Sequence, residues 1–302
     1  MTMTKKNKGL NALPTVPNVL MNIVLVLFSL ACVLPFIFTI IISFTDESVL
    51  MNGYSFWPSQ WSLEGYRYVF KSGRMLFDAF WISVQVVVIG TILGLTITSM
   101  YAYILYRKDY KFRKFFNWLS FITMIFSAGL VPTYVVFVQM FHLKNSIWAM
   151  IFPLLCTPFN IIILKTFYTT SIPEALIESA SLDGCSEFRT FIQIILPISL
   201  PGLATIALFY TLAYWNDWYN ALLYIDETSK NPLQYMLMKI QNNINYLNTN
   251  IGDIGTAEAL RNMPSESARM VLAVVIIVPI ACAYPFFQKY FVSGLTVGSV
   301  KG

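Results

Sequence analysis

Residues 168–197 read YTTSIPEALIESASLDGCSEFRTFIQIILP, and most of this polar stretch interrupts a chain that is otherwise apolar. Of the 302 residues, 57% are hydrophobic and only 12% are charged, whereas soluble domains carry about 25% charged residues. The mean hydropathy of +0.63 points in the same direction. The composition therefore predicts a polytopic membrane protein in which residues 168–193 form a hydrophilic connection.

Six apolar segments surround this connection, and each supplies the roughly 20 residues that a helix needs to cross a bilayer. They lack the alternation of polar and apolar residues that is typical of barrel strands, and helices are the other way to satisfy the backbone in lipid. We therefore expect an all-α transmembrane domain at 19–291. Its six helices are expected at about 19–44, 79–106, 117–141, 146–167, 195–223 and 269–291.

Basic residues are concentrated in the N-terminal tail 1–18 and in the connection 107–115, which contains RKDYKFRK. Lysine and arginine accumulate on the cytoplasmic side of membrane proteins. The pattern predicts a multi-pass protein of the cell membrane with these two regions and residues 168–193 in the cytoplasm. Since six spans return the chain to its starting side, the C-terminal tail 292–302 is expected there too. The expected outer connections are 45–78 and 224–268.

Several classes of function are disfavoured by composition and motifs. The net charge of +5 is scattered among apolar spans, so it indicates topology and not nucleic-acid binding. A single histidine, His142, and four cysteines without close spacing favour neither a metal site nor a disulfide framework. The chain has no G-x-x-x-x-G-K-[ST] phosphate loop. We therefore expect no catalytic residues, no metal and no ATP site in this chain.

The polar connection has the local signals of two short helices. Ser171 and Glu174, with Pro173 between them, form a capping-box pattern at a helix start. Gly184 is typical of a helix end, and Ser186 can cap a second helix. Apolar residues at helical spacing predict one apolar stripe on the second helix. They are Phe188, Phe191, Ile192 and Ile195.

Two interpretations of these helices remain open from the residues alone. The connection is either a solvated surface loop or a docking element for a cytoplasmic partner. Its carboxylates offer charge-assisted contacts to arginine or lysine, and its small residues allow another surface to approach closely. The small residues are Ala175, Ser179, Ala180 and Ser181.

The spacing of seven residues in this stretch resembles the EAA signature of ABC importer permeases, which is EAA, three residues, G, nine residues, I, one residue and LP. The only departure is Ser179, where the family has alanine, and serine is also small. The ending GLTVGSVKG and the run WND at 215–217 are similar to the maltose-type, carbohydrate-transporting branch. The seven signature positions are occupied by Glu178, Ser179, Ala180, Gly184, Ile194, Leu196 and Pro197.

The resemblance implies the type I permease fold of ABC importers, with a cytoplasmic coupling helix that sits in a cleft of an ATPase subunit. It implies that Glu178 pairs with a basic residue of the ATPase, that Ala180 permits close packing and that Gly184 makes the sharp turn. The residues expected to couple this chain to the ATPase are Glu174, Glu178, Ser179, Ala180, Asp183, Gly184, Ile194, Leu196 and Pro197.

The same resemblance implies the partners and the cargo. The chain is expected to be the G-type subunit of a permease heterodimer, in contact with membrane lipid. Two ATP-binding subunits would hold ATP and Mg²⁺, so this chain needs no cofactor of its own. An extracytoplasmic solute-binding protein would deliver a carbohydrate, expected to be an oligosaccharide. We expect the long outer connection 224–268 to dock that binding protein, because loops of this length are usually functional or disordered.

Aromatic and polar residues cluster toward the outer end of the fifth segment. Rings and amides of this kind can bind sugars, and an ionisable residue within a span is a functional candidate. They are also common at the membrane interface, where Asp217 would merely be solvated. In the maltose-type family the other permease subunit holds most of the sugar, which weakens the substrate interpretation. The possible substrate-path residues are Tyr210, Tyr214, Trp215, Asn216, Asp217 and Trp218.

Three functions other than a carbohydrate importer are alternatives for a helical membrane protein of this kind. An ion-coupled secondary transporter would be expected to carry carboxylates in mid-span, and these segments have almost none. A scaffold protein that binds through 168–193 would not need the spacing out to Leu196 and Pro197. An ABC importer for a non-sugar solute shares the EAA signature and stays open.

Overall fold

The computed structural model describes residues 15–71, 73–249 and 265–299, and this part of the chain is helical without a β-strand. The tail before residue 15 and residues 250–264 of the expected outer connection lie outside the described residues. The helices are α1 Thr15–Ser43, α2 Glu47–Leu50, α3 Glu64–Lys71, α4 Gly73–Tyr106, α5 Arg113–Ile125, α6 Leu130–Val135, α7 Ile147–Ile151, α8 Pro158–Ser171, α9 Glu174–Leu182, α10 Glu187–Thr190, α11 Leu196–Ile198, α12 Leu200–Trp215, α13 Tyr219–Tyr224, α14 Leu233–Thr249 and α15 Ser265–Ser299. Short π-helical turns follow α6 at Val136–Met140 and α10 at Phe191–Ile195.

Three helices are long and apolar enough to cross a membrane without interruption, and they lie within α1, α4 and α15. Three further candidates are bent pairs of helices, and counting each pair as one crossing gives up to six spans. The pairs are Arg113–Ile125 with Leu130–Met140 (114°), Ile147–Leu154 with Pro158–Ser171 (50°) and Glu187–Ile198 with Leu200–Trp215 (83°). An all-α, multi-pass architecture is therefore confirmed for the described residues.

The bends lie at glycine and proline residues. Gly129 precedes α6 with a φ of +84°, a conformation that favours glycine. Pro158 is the first residue of α8, and Pro201 is in the first turn of α12. Because proline has no N–H and fixes φ, it is well tolerated at these helix starts, where no intrahelical hydrogen bond is lost.

The fifth apolar segment differs from the single helix expected at 195–223. Its α12 ends at Trp215, and α13 begins four residues later at Tyr219. Asp217 accounts for the interruption, because its carboxylate accepts the backbone N–H of Asn220 at 3.1 Å and the Asn220 side-chain amide at 2.7 Å. A short polar side chain that bonds a backbone N–H three residues on is typical of a helix start.

The described residues form two compact units, and the larger one contains α4 to α14, with α15 from Val275. Its core is the contact of α4 with α12 and α8. Gly90 and Gly94 lie one helical turn apart on α4, and the rings of Tyr214 and Tyr210 pack against them. Small residues at helix contacts allow this close approach in membrane proteins.

The smaller unit contains the described residues up to Val69 and the beginning of α15 up to Val274. Here the carboxylate of Glu47 accepts the backbone N–H groups of Glu266 at 3.0 Å and Ser267 at 3.1 Å. It also accepts the Ser267 hydroxyl at 2.9 Å. A carboxylate at a helix N-terminus satisfies otherwise unpaired N–H groups and interacts favourably with the helix dipole. Glu47 thus caps α15 across more than 200 residues of sequence.

The glycine contact on α4 leads to a prediction about stability. A Cβ at residue 90 would lie 2.5 Å from the Tyr214 ring, which is itself buried, so Gly90→Ala forces the packed helices apart. We expect this change to lower the free energy of unfolding by about 1–3 kcal/mol. The measurement is the midpoint of thermal unfolding in detergent. Gly73→Ala is the control, because a Cβ there meets nothing within 4 Å; equal midpoints for the two variants would contradict the prediction.

Candidate functional site

The segment 174–197 is built as two helices joined at Gly184, as the sequence predicts. The turn that ends α9 is a Schellman motif, in which the N–H of Cys185 donates to the carbonyl oxygen of Ala180 at 2.9 Å. The N–H of Gly184 donates to Ser181 at 3.1 Å, and Gly184 has a φ of +75°. Residues other than glycine adopt this conformation at a cost of about 1–2 kcal/mol. Gly184 therefore sets the direction in which α10 leaves α9.

The caps of the two helices follow the sequence prediction at one of two positions. Ser186 caps α10, since its Oγ accepts the Arg189 N–H at 3.4 Å. The capping box at the start of α9 is wrong, because Ser171 is the last residue of α8 and Pro173 precedes α9 without a side-chain cap. Helix α8 extends further than expected, so the serine side chain cannot reach the next helix start.

The end of the motif continues into the core of the larger unit. Ile195 is fully buried and Phe191 is buried, while Ile194 and Leu196 are half-buried. The Leu196 N–H bonds the Phe191 carbonyl oxygen, five residues back, in a π-helical turn just before Pro197. A proline in a helix cannot bond its fourth preceding carbonyl, and a wider turn relieves the conflict.

The predicted apolar stripe of the second helix is only half correct. Phe191 and Ile195 are buried, but Phe188 and Ile192 are exposed in the described part of the chain. The two pairs therefore lie on different faces of α10 and the π-helical turn.

The residues of α9 divide between two faces. Ala180 is 5% exposed and Ile177 is 7% exposed, so both pack against their own chain. The small side chain of Ala180 packs inside the chain, and its role toward an ATPase subunit stays a prediction. The outward face carries three carboxylates, small residues and two exposed leucines. It consists of Glu174, Ala175, Leu176, Glu178, Ser179, Ser181, Leu182 and Asp183.

Part of this acidic face is paired with the end of α4 and the connection that follows it. Lys108 Nζ lies 2.7 Å from Glu174 Oε2, and a guanidinium nitrogen of Arg107 lies 2.9 Å from Glu187 Oε1. Arg107 also donates to Asp109 from Nε at 2.8 Å. This hydrogen bond to the charged form holds the pKa of Asp109 below its usual value and raises the pKa of Arg107.

A cleft of about 550 Å³ lies between this connection and α9. Glu178 is on its wall, and Leu182 at its rim is 89% exposed. Neither Glu178 nor Asp183 has an ion-pair partner within the ranges that the structure describes. The remaining lining residues are Tyr106, Arg107, Lys108, Asp109, Glu174, Ile177 and Ser181. The arrangement offers exposed carboxylates and an exposed leucine, which suits a protein partner that carries basic and apolar groups.

The candidate substrate-path residues of α12 are not gathered in one open site. Tyr214 donates from its hydroxyl to the carbonyl oxygen of Ile151 at 2.9 Å, and the Tyr210 hydroxyl lies 2.7 Å from Thr98 Oγ1. Trp215 donates from Nε1 to the carbonyl oxygen of Ile276 at 3.2 Å. These three side chains are buried, and their polar groups are occupied within the chain.

The other members of this set lie closer to the surface. Asn216 is exposed, Trp218 is half-buried, and Asp217 is bonded to Asn220. Contact of any of the six with substrate stays a prediction. Within the described residues, no group of three or more His, Cys, Asp and Glu side chains is placed to hold a metal ion.

The amino-acid sequence of this chain is similar to those of permease proteins from several transport systems. The polygalacturonan/rhamnogalacturonan transport system permease protein YtcP of Bacillus subtilis is 39% identical over 92% of this chain and 96% of its own length. The protein LplC of Bacillus subtilis is 37% identical over 89% of this chain and 90% of its own length. The trehalose/maltose transport system permease protein MalG of Thermococcus litoralis is 27% identical over 94% of this chain and 97% of its own length.

The fold is also that of a solved transporter. A chain in the crystal structure of a bacterial ABC transporter involved in the import of the acidic polysaccharide alginate superposes with a TM-score of 0.77. The match covers 91% of this chain and 96% of that chain at 24% sequence identity. The model of the inner membrane components of binding-protein-dependent transport systems matches residues 109–297, which contain the whole two-helix segment. The chain belongs to this family of binding-protein-dependent transport system inner membrane components.

Proposed function

We propose that this chain is a permease subunit of an ATP-binding-cassette importer that takes up a carbohydrate delivered by an extracytoplasmic solute-binding protein. The observation that carries the proposal is the exposed acidic face of α9, held on a two-helix segment with the EAA spacing. Relatives named for transport of polygalacturonan/rhamnogalacturonan, arabinooligosaccharides and trehalose/maltose support a saccharide, and an oligosaccharide in particular.

The proposal divides the work between this chain and its partners. The chain has no phosphate loop, so ATP and Mg²⁺ are bound and ATP is hydrolysed in two ATPase subunits. A second permease subunit completes the membrane pathway as a heterodimer. Glu178 pairs with a basic residue of an ATPase subunit, since it is exposed and has no ion-pair partner in the described chain. This chain performs no catalysis in the scheme.

The orientation follows from the position of the basic residues. The proposal places the two termini and α9–α10 in the cytoplasm, because lysine and arginine are concentrated in the N-terminal tail and at 107–115, and six spans return the chain to the same side. The apolar side chains of α1 are mostly exposed, as expected for a helix that faces lipid or another membrane subunit.

The movement of this scheme is a rigid-body switch between two global states. Closure of the ATPase subunits on ATP displaces α9, and the membrane helices attached to it reorient.

The direct experiment is co-expression with a second permease and an ATPase in vesicles. ATPase activity should rise when the binding protein is loaded with the correct glycan from a panel, and the glycan should accumulate. Absence of both effects for every glycan would reject the proposal.

Reversal of one charge tests the coupling surface. Glu178→Lys places a cation where the proposal requires a carboxylate, so we expect binding-protein-stimulated ATPase and uptake to fall by about tenfold or more. The measurement is made on the purified complex in vesicles. Glu64→Lys reverses an equally exposed charge at the start of α3 and serves as the control. A Glu178→Lys complex that assembles and transports like the control would contradict the assignment.

A deletion tests the outer connection. Removal of residues 241–256 takes away the last part of α14 and seven residues beyond the described chain. If this segment docks the binding protein, stimulation of ATPase by the loaded binding protein should be lost while basal ATPase persists. The two activities are measured on the same preparation of vesicles. Unchanged stimulation would show that the binding protein docks elsewhere.

A further inference from the structure

Three polar groups meet where the last turn of α4 contacts the start of α10. The Tyr103 hydroxyl donates to Glu187 Oε2 at 2.7 Å. A guanidinium nitrogen of Arg107 lies 2.9 Å from the other carboxylate oxygen of Glu187. Tyr103 and Arg107 are four residues apart on one helix face, so the two donors approach the two oxygens of one carboxylate. We refer to these three residues as the Glu187 cluster.

Two of the three residues are sheltered from water by neighbouring rings, whereas the Glu187 side chain is 64% exposed. Tyr103 is 8% exposed, and the Arg107 side chain is only 15% exposed. The Tyr103 ring contacts the Phe191 ring with centroids 5.2 Å apart, and Phe191 is buried in turn. A partly buried ion pair with two hydrogen bonds is screened less by solvent than a surface pair. The cluster differs from the Lys144–Asp226 pair on its cationic side, since the Arg107 side chain is 15% exposed and that of Lys144 is 41% exposed.

Further bonds join the same end of α4 to the start of the coupling segment. The Tyr106 hydroxyl donates to the carbonyl oxygen of Ile172 at 3.0 Å, just before α9. Lys108 pairs with Glu174 in the first turn of α9. Three contacts thus start at the end of α4 or directly after it. Tyr106 bonds the chain before α9, and Lys108 pairs with the first turn of α9. Tyr103 and Arg107 both bind the first residue of α10. Both helices of the segment are attached to one membrane helix.

The other part of α4 contacts the core of the transmembrane unit. Gly90 and Gly94 lie against Tyr214 and Tyr210 of α12, and α4 is a continuous helix from these glycines to Tyr103. A continuous hydrogen-bonded helix transmits displacement along its axis without intermediate hinges.

We propose that the Glu187 cluster is the joint through which displacement of α9 and α10 is passed to α4 and from there to α12. The inference rests on the proposed function, since it assigns a route to the force that the ATPase subunits supply. Arg107 and Tyr103 are positioning residues in this scheme, and neither contacts nucleotide or cargo. The joint consists of the bidentate carboxylate contact, with the Tyr103–Phe191 ring contact behind it.

A charge swap tests the joint. Arg107→Glu and Glu187→Arg each place two like charges together, so each single variant should lose about tenfold or more of binding-protein-stimulated ATPase and of uptake. The double variant restores opposite charges and should recover both activities to within about threefold of the unaltered complex. Activities are divided by the amount of assembled complex. Failure of the double variant to recover activity in an assembled complex would overturn the proposal.

Two matched variants separate the joint from general loss of charge or packing. Asp109→Asn removes the other carboxylate bonded to Arg107 but leaves Glu187 in place. It should lower uptake less than Arg107→Glu does, because Asp109 bonds Arg107 but neither α9 nor α10. Tyr103→Phe keeps the ring contact with Phe191 and removes only the hydroxyl. The loss of uptake in Tyr103→Phe should be intermediate between the losses in Asp109→Asn and Arg107→Glu.

A purely structural role predicts a different result. Arg107→Glu would then lower the yield of assembled complex and leave the stimulation ratio of the remaining complex unchanged, which would overturn the proposal. Hydrogen exchange of the amides of α9 and α10 in the complex supplies a readout that is independent of transport. Exchange there should be faster by about tenfold in Arg107→Glu and return to its original rate in the double variant.

The exchange measurement also separates this inference from the proposed function. If the unaltered complex shows neither stimulated ATPase nor uptake of any glycan, the proposed function is wrong. The attachment of α10 to α4 would still be tested by the exchange rates. If the unaltered complex is active and the charge swap has no effect on activity or exchange, only the joint is refuted.

Discussion

The close contact of α4 with α12 is the constraint on which the larger unit depends. Lipid supplies no hydrophobic force between helices, so the contact must come from close packing, and the missing Cβ atoms of Gly90 and Gly94 make room for two tyrosine rings. The hydroxyl of Tyr214 also bonds the carbonyl oxygen of Ile151, and the hydroxyl of Tyr210 bonds that of Leu155 at 3.2 Å. Both carbonyls lie at the break between α7 and α8. The same contact therefore satisfies backbone groups that a broken helix leaves unpaired.

The position of the two-helix segment 174–197 depends on this framework. Its end is buried in the core at Ile195, and its first residues are bonded to the last turns of α4. The Gly184 turn then determines the angle between α9 and α10. An exposed carboxylate such as that of Glu178 is consequently carried by rigid elements and not by a mobile loop. Such rigid attachment is required if displacement at the surface is to reach the membrane helices.

The sequence predicted the local features of the fold but not the contacts between distant segments. It indicated the six apolar segments, the Gly184 turn and the Ser186 cap, which depend on neighbouring residues. The helix cap predicted at Ser171 is absent, because α8 continues through this residue. The single helix predicted for the fifth segment is also absent, because Asp217 starts a new helix inside an apolar run. The capping of α15 by Glu47 links residues more than 200 positions apart, and no periodicity reports such a bond.

The sequence by itself determined the membrane class, the helical architecture and the position of the two-helix segment with the EAA spacing. Hydropathy, glycine turns and motif spacing are properties of short stretches, so they can be read without coordinates. Only the tertiary structure decided that Tyr210 and Tyr214 serve packing, that Ala180 faces inward and that Glu187 is held by Arg107 while Glu178 is exposed. These outcomes depend on distances between helices. In lipid those distances are set by side-chain packing and by the need to pair every backbone group.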